Sequence, residues 1–221
     1  LWGQEKAAVC GPTEHNAIEQ LDLPRAQVEA VLVRALAAED RHRAIRILHQ
    51  DLPQLEATVA GLRNGGLLAM QELEHGVPGR SDWQAAVEQG RGVLDRRGRQ
   101  LIQALGFTTE ETAGPAVLLL AGERKTAVAV LLDHPEEIDA ASDRYDGVSP
   151  VSFALARADR EHLDYVIAVA GGTVRLYPAT PGVGAGRRGR SETFVELNLD
   201  LLPEDRAGYL WLLLSADALV E

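Results

Sequence analysis

The stretch DYVIAVAGGTVRLYP, residues 164–178, limits the fold more than any other part of this chain. Residues 165–170 form a short apolar run, Gly171-Gly172 supplies a tight turn, and 173–177 return to β-branched and aromatic residues. Together they predict a β-hairpin. A loop rich in glycine and arginine follows, then a further strand over 193–197 and an amphipathic helix over 204–219.

A second pair of apolar runs, 116–120 and 126–132, is joined by Ala121-Gly122-Glu123-Arg124-Lys125 and predicts another hairpin. Between the two pairs lie an acidic stretch, 135–146, expected as a loop or short helix, and a helix over 149–161. Phe153, Leu155 and Ala156 form the apolar side of that helix. Before Phe107 the spacing is helical. Val28, Val31, Leu32, Ala35 and Leu36 mark one helix, with Pro24 in its first turn. A second runs from Ile45 to Leu62, kinked or restarted at Pro53 with Asp51 as a cap, and ended by Gly65-Gly66. A short helix is expected within 67–79. Ser81-Asp82-Trp83-Gln84 has the form of a capping box and opens a helix that closes at Gly106, weakened by Gly90 and Gly92. The expected fold class is α/β (α+β): a helical part over 1–107, then a mixed β-sheet with flanking helices over 108–221.

With 221 residues and 46% hydrophobic content the chain has ample material for a buried core. No apolar stretch approaches the length of a membrane span. The start, LWGQEKAAVC, lacks a signal peptide's pattern and an initiator Met, so a trimmed chain is expected. Cys10 is the single cysteine, which excludes an internal disulfide and a cysteine metal cluster; a reduced, cytoplasmic bacterial protein is expected. The six histidines form neither H-E-x-x-H nor a zinc set. Asp139, Asp143 and Asp146-Gly147 lack the spacing of a calcium loop and are expected as a solvated turn. The glycines at 182, 184 and 186 match neither a Walker loop nor G-x-G-x-x-G, so a mobile loop is expected there.

Lys+Arg 22 against Asp+Glu 33 gives a net charge of -11, the wrong sign for a free-standing DNA binder. The cations are mostly arginine, however, and they cluster. Arg187, Arg188 and Arg190 stand among glycines between two strands, where they could follow a phosphate backbone. Arg96, Arg97 and Arg99 form a second DNA-binding candidate patch near a helix end, with a charged, acid-paired helix face as the plainer account. Trp83, Tyr177 and Trp211 are expected in the core, unless Trp211, in the run YLWLLL, faces a following domain.

The order from residue 149 to 219 resembles the N-terminal, pre-catalytic region of large adenine-specific DNA methyltransferases of bacterial restriction-modification and phage-defence systems (type IIG, BREX or DISARM-like). The matching pieces are Val174-Arg175-Leu176-Tyr177, Phe194-Val195-Glu196-Leu197-Asn198-Leu199 and the closing helix, with weaker support from 83–107. That resemblance implies a module whose catalytic domain, binding S-adenosylmethionine, lies beyond Glu221. The N-P-P-Y and D-P-P-Y tetrapeptides that would hold a flipped adenine are absent from this chain, so no cofactor is expected in it. Duplex DNA, the methyltransferase domain or other defence subunits are the implied partners, with no membrane.

The order strand, strand, helix, strand, strand is also similar to the core of PD-(D/E)xK nucleases. There one strand carries an Asp and the next ends in Glu-x-Lys, the carboxylates binding Mg²⁺. Here AVLLL offers no acid, and TAVAVLLD ends in Leu131-Leu132-Asp133. Glu123-Arg124-Lys125 spells E-x-K but falls in the hairpin turn. The expectation is a restriction-endonuclease-like scaffold without cutting chemistry. An active Mg²⁺-dependent nuclease using Glu123, Lys125 and Asp133 is one alternative, and a protein-interaction scaffold without DNA binding is another.

Overall fold

A computed structural model describes residues 25–55, 59–183 and 189–220, and the chain divides into two compact units, Leu1–Glu56 and Ala57–Glu221. In the first unit, helices α1 (Arg25–Leu36) and α2 (Arg41–Leu55) pack together, with Val31 and Ala35 buried. The expected cap at Asp51 is not one. Asp51 lies inside α2, which runs on through Pro53, and its carboxylate accepts from Arg34 at 2.7 Å across the helix pair. The buried acid is thereby compensated where a cap would have left it in solvent.

The second unit is built on a seven-stranded mixed sheet. Its strands are β1 (Leu62–Asn64), β2 (Thr108–Glu111), β3 (Ala116–Ala121), β4 (Arg124–Leu132), β5 (Tyr165–Ala170), β6 (Thr173–Pro178) and β7 (Val195–Asn198), in the order β1-β7-β6-β5-β4-β3-β2. Every neighbouring pair is antiparallel except β4 and β5. A parallel pair needs a crossover, and helix α5 (Pro150–Glu161) supplies it. Ser149 caps α5 by accepting from the Ser152 N–H at 3.2 Å, and Pro150 takes the first turn, where no donor is needed.

Both predicted hairpins form. Gly122 and Gly171 turn them with φ of 61° and 56°, a region only glycine enters freely. The central strands β4 and β5 are apolar on both sides and buried on both. Ala127, Ala129, Ile167 and Val169 join one core; Val128, Val130, Val166 and Ala168 join the other. The first core is completed by α3 (Trp83–Arg91), α4 (Gly98–Ala104) and α6 (Gly208–Leu214), the second by α5 and the turns that hold Ile138 and Tyr145. The unit is thus three-layered.

Several expectations shift. Leu62, expected at the end of a helix, lies in β1 and pairs with Leu197. Thr108–Glu111, a polar segment without strand periodicity, pairs with β3 as an edge strand. The boundary expected at 107, where the hydrophobic period changes, falls inside the second unit, because α3 and α4 pack in the same core as the sheet. The helix expected over 83–105 is divided at 92–97, and the one expected over 204–219 shortens to α6 with a 3-10 turn, Glu204–Arg206, before it. Gly90 is not the break. It lets α3 approach the start of α6, since a Cβ there would lie 2.1 Å from the Ala207 carbonyl oxygen. Gly208 likewise faces the Trp83 ring. Trp83 in turn meets Tyr209 edge-on at 5.0 Å, and the Tyr209 hydroxyl donates to the Leu73 carbonyl.

Candidate functional site

The densest buried charge lies on the second face of the sheet, where β6, β7 and β1 run side by side. Register places Arg175 opposite Glu196, and Glu196 opposite Arg63, so three charges form one row across three strands. Arg175 Nε donates to Glu196 Oε2, and an Arg175 terminal nitrogen donates to Asp139 Oδ2 at 2.8 Å and to the Tyr177 hydroxyl at 3.1 Å. Arg63 stands 3.8 Å from Glu196 Oε1. The guanidinium groups of Arg63 and Arg175 lie 4.9 and 4.8 Å from the centre of the Phe194 ring. Side-chain exposure is 2% for Glu196 and 8% for Arg175, against 63% for Asp139.

Burial alone would favour loss of the Arg175 proton. The facing Glu196 carboxylate, then Tyr177 and Asp139, more than reverse this and raise its pKa. Burial pushes the Tyr177 phenol up to about 12, against the pull of Arg175. Arg175 and Tyr177 therefore neither give nor take a proton near neutral pH. Its chemistry is that of a clamp: Arg175 ties the acidic segment 134–148, through Asp139, to the middle of the sheet. Asp139, expected in a solvated turn, keeps that exposure but has this partner.

The nuclease candidates are not brought together. Lys125 and Asp133 sit eight residues apart at opposite ends of β4, roughly 26 Å at strand rise. Glu123 is exposed in the β3–β4 turn, and Lys125 is shared between Glu110 at 3.4 Å and Glu161 at 3.5 Å. Among the described residues no group of three His, Cys, Asp or Glu side chains is arranged for a metal ion.

Among the described residues, three of the four patch arginines are paired with acids. Arg97 donates to Asp200 at 2.6 Å, and Arg99 reaches Thr109 and Glu111, each at 2.8 Å; Arg96 is exposed. Arg187 and Arg188 lie outside the described residues. Arg190 makes two bonds to Asp159, at 2.6 and 2.9 Å, and donates to the Ala179 carbonyl. The hydrogen bond from Arg190 holds the Asp159 carboxyl below its ordinary range. Arg190 thus fastens the chain after the loop onto α5 instead of reaching outward. Tyr177 is buried as expected, and Trp83 packs in the first core. Trp211 is half-buried and lines an open groove of about 260 Å³ with Arg80, Asp82, Gln89 and Asp217.

Sequence reasoning missed the Arg175–Glu196 pair. The signal was present as one charge between apolar neighbours in each of two strands, V-R-L and V-E-L. Comparison with protein-family models, curated proteins and solved structures finds no match for this chain. Among the described residues no helix is long and apolar enough to cross a membrane.

Proposed function

We propose that this chain is a non-catalytic, DNA-holding module of an adenine-specific DNA methyltransferase from a restriction-modification or phage-defence system. In this reading its sheet descends from a restriction-endonuclease-like scaffold that has lost the cutting residues. The observation that carries the proposal is at the meeting of β3 and β4. The order β3, β4, crossover α5, parallel β5 is the one expected of the nuclease core. Yet the first of these strands, AVLLL, carries no acid and is buried through Leu119, and Leu131-Leu132-Asp133 stands in place of Glu-x-Lys. Buried apolar side chains cannot hold Mg²⁺. A scaffold retained without its chemistry is left with binding, and S-adenosylmethionine would be bound by the methyltransferase domain.

The test is binding of the chain to duplex DNA across a salt series, beside a cleavage assay with Mg²⁺. Arg187→Ala/Arg188→Ala is the informative variant, since Arg190 is engaged with Asp159. A salt-dependent affinity that falls in the variant, with no cleavage, is expected. Cleavage abolished by Glu123→Ala or Lys125→Ala would restore the nuclease alternative. Absence of binding at the lowest salt would favour a protein-docking scaffold. That second reading draws on the net charge of -11 and on the acid partners of Arg97, Arg99 and Arg190.

A further inference from the structure

The basic face of α2 is the part of the described surface best matched to a polyanion. Arg41, His42, Ile45, Arg46, His49 and Leu52 are all exposed. At 3.6 residues per turn they fall within an arc of roughly 140°, one continuous face. The opposite side of the helix carries Asp51, which is turned to Arg34. Asp40, just before the helix, accepts from the Arg43 N–H at 2.8 Å, and Arg46 and His42 on the face act on the same carboxylate through space. Among the described residues Arg41 and Arg46 have neither an ion pair nor a hydrogen bond through their side chains. Arg96 and Arg124 share that state singly, and the exposed Arg144 stacks over Tyr145. In a chain of net charge -11, two exposed arginines on one helical face stand out.

The apolar content of this face decides between polyanions. Ile45 and Leu52 are 39% and 37% exposed, and α2 has no aromatic residue. A helix that lies in a membrane surface needs a broad apolar face with Trp, Phe or Leu buried among the headgroups. Arginine in a shallow, mostly polar face suits phosphate oxygens, where its planar fork makes two bonds at once. The face spans about 16 Å from Arg41 to Leu52, enough for a helix laid along or across a duplex groove.

We infer that α2 is a phosphate-contacting helix for duplex nucleic acid, with Arg41 and Arg46 as its principal contacts. The inference deepens the DNA-holding reading and rests on it, placing a contact in the N-terminal helical unit in addition to the loop carrying Arg187 and Arg188.

The experiment uses the full chain and a 20-base-pair duplex over a salt series. It compares Arg41→Ala/Arg46→Ala with Arg41→Lys/Arg46→Lys and with a charge-matched control, Arg124→Ala/Arg160→Ala. Each lost phosphate contact lowers the slope of log K against log salt by about 0.9, so the alanine pair should lower it by about 1.8. The lysine pair should keep the slope, and the control should leave it unchanged. Circular dichroism of each variant separates loss of contact from loss of helix. Wild-type binding that the alanine pair leaves intact, in a variant that keeps its helix content, overturns the inference and leaves the DNA-holding reading in place. Absence of DNA binding by the wild type at low salt overturns both. Arginine-dependent binding to phosphatidylserine vesicles without DNA binding assigns the face to a membrane surface and overturns the nucleic-acid partner.

Discussion

Removing Glu196 tests whether the charge row is a clamp. Substitution by Leu leaves the Arg175 guanidinium, 8% exposed, facing an apolar side chain, with Tyr177, the exposed Asp139 and the Phe194 ring to compensate it. Breaking a buried pair from one side costs about 3–5 kcal/mol in general; the surviving partners put this case at the low end, about 3 kcal/mol. Arg175→Met should cost a similar amount, because it removes the hydrogen-bonded cation from a Glu196 carboxylate that is 2% exposed. The double variant, Arg175→Met with Glu196→Leu, removes both charges from an apolar sheet face and returns Asp139 to water. Its stability should lie within about 1 kcal/mol of the wild type. The assay is urea denaturation followed by tryptophan fluorescence, read as a double-mutant cycle. Single costs that simply add in the double variant would refute the clamp, as would a Glu196→Leu loss below about 1 kcal/mol.

The other expectations are these. Gly90→Ala should lose about 1–3 kcal/mol despite alanine's better helix propensity, since its Cβ would meet the Ala207 backbone at 2.1 Å; Gly92→Ala, whose nearest contact is 3.4 Å, should not, and thermal melts separate the two. In a spectrophotometric titration Tyr177 should ionise near pH 12. Its folded pKa is raised, so its contribution is complete below the ordinary tyrosine range and is lost as pH climbs from about 10 toward 12; native absorbance rising in full at about pH 10 would contradict this. Arg190→Ala should cost under about 1 kcal/mol, because the Asp159 side chain is 48% exposed. The depressed Asp159 carboxyl makes that contribution present at neutral pH and lost as pH falls through the acid range, which denaturation at about pH 7 and about pH 3 would reveal.

Elements whose signal is local are legible in the residues themselves. The hairpins around Gly122 and Gly171 and the Ser149-Pro150 start of α5 each depend on neighbours in the chain. The placing of Glu123-Arg124-Lys125 in the turn is only partly right, since β4 begins at Arg124 and only Glu123 stays in the turn. A mixed sheet follows from two hairpins with a helix between them. What fails to show is whatever depends on a distant edge. Leu62–Asn64 and Thr108–Glu111 carry no strand period; they are strands because β7 and β3 present unpaired backbone groups at the rims of the sheet.

The candidate sites divide the same way. Clustering of Arg187, Arg188 and Arg190 is visible in sequence, but whether an arginine is free depends on which acid the fold brings to it. Asp159 reaches Arg190 across 31 residues, and Asp200 reaches Arg97 across 103. Local patterning determined the hairpins and the crossover helix, because periodicity and turn chemistry act over a few residues. Tertiary structure alone decided that Arg175, Glu196 and Arg63 share a row, that Gly90 is a contact and that Arg41 and Arg46 lie exposed on one face of α2. Register and packing join residues that the chain keeps far apart.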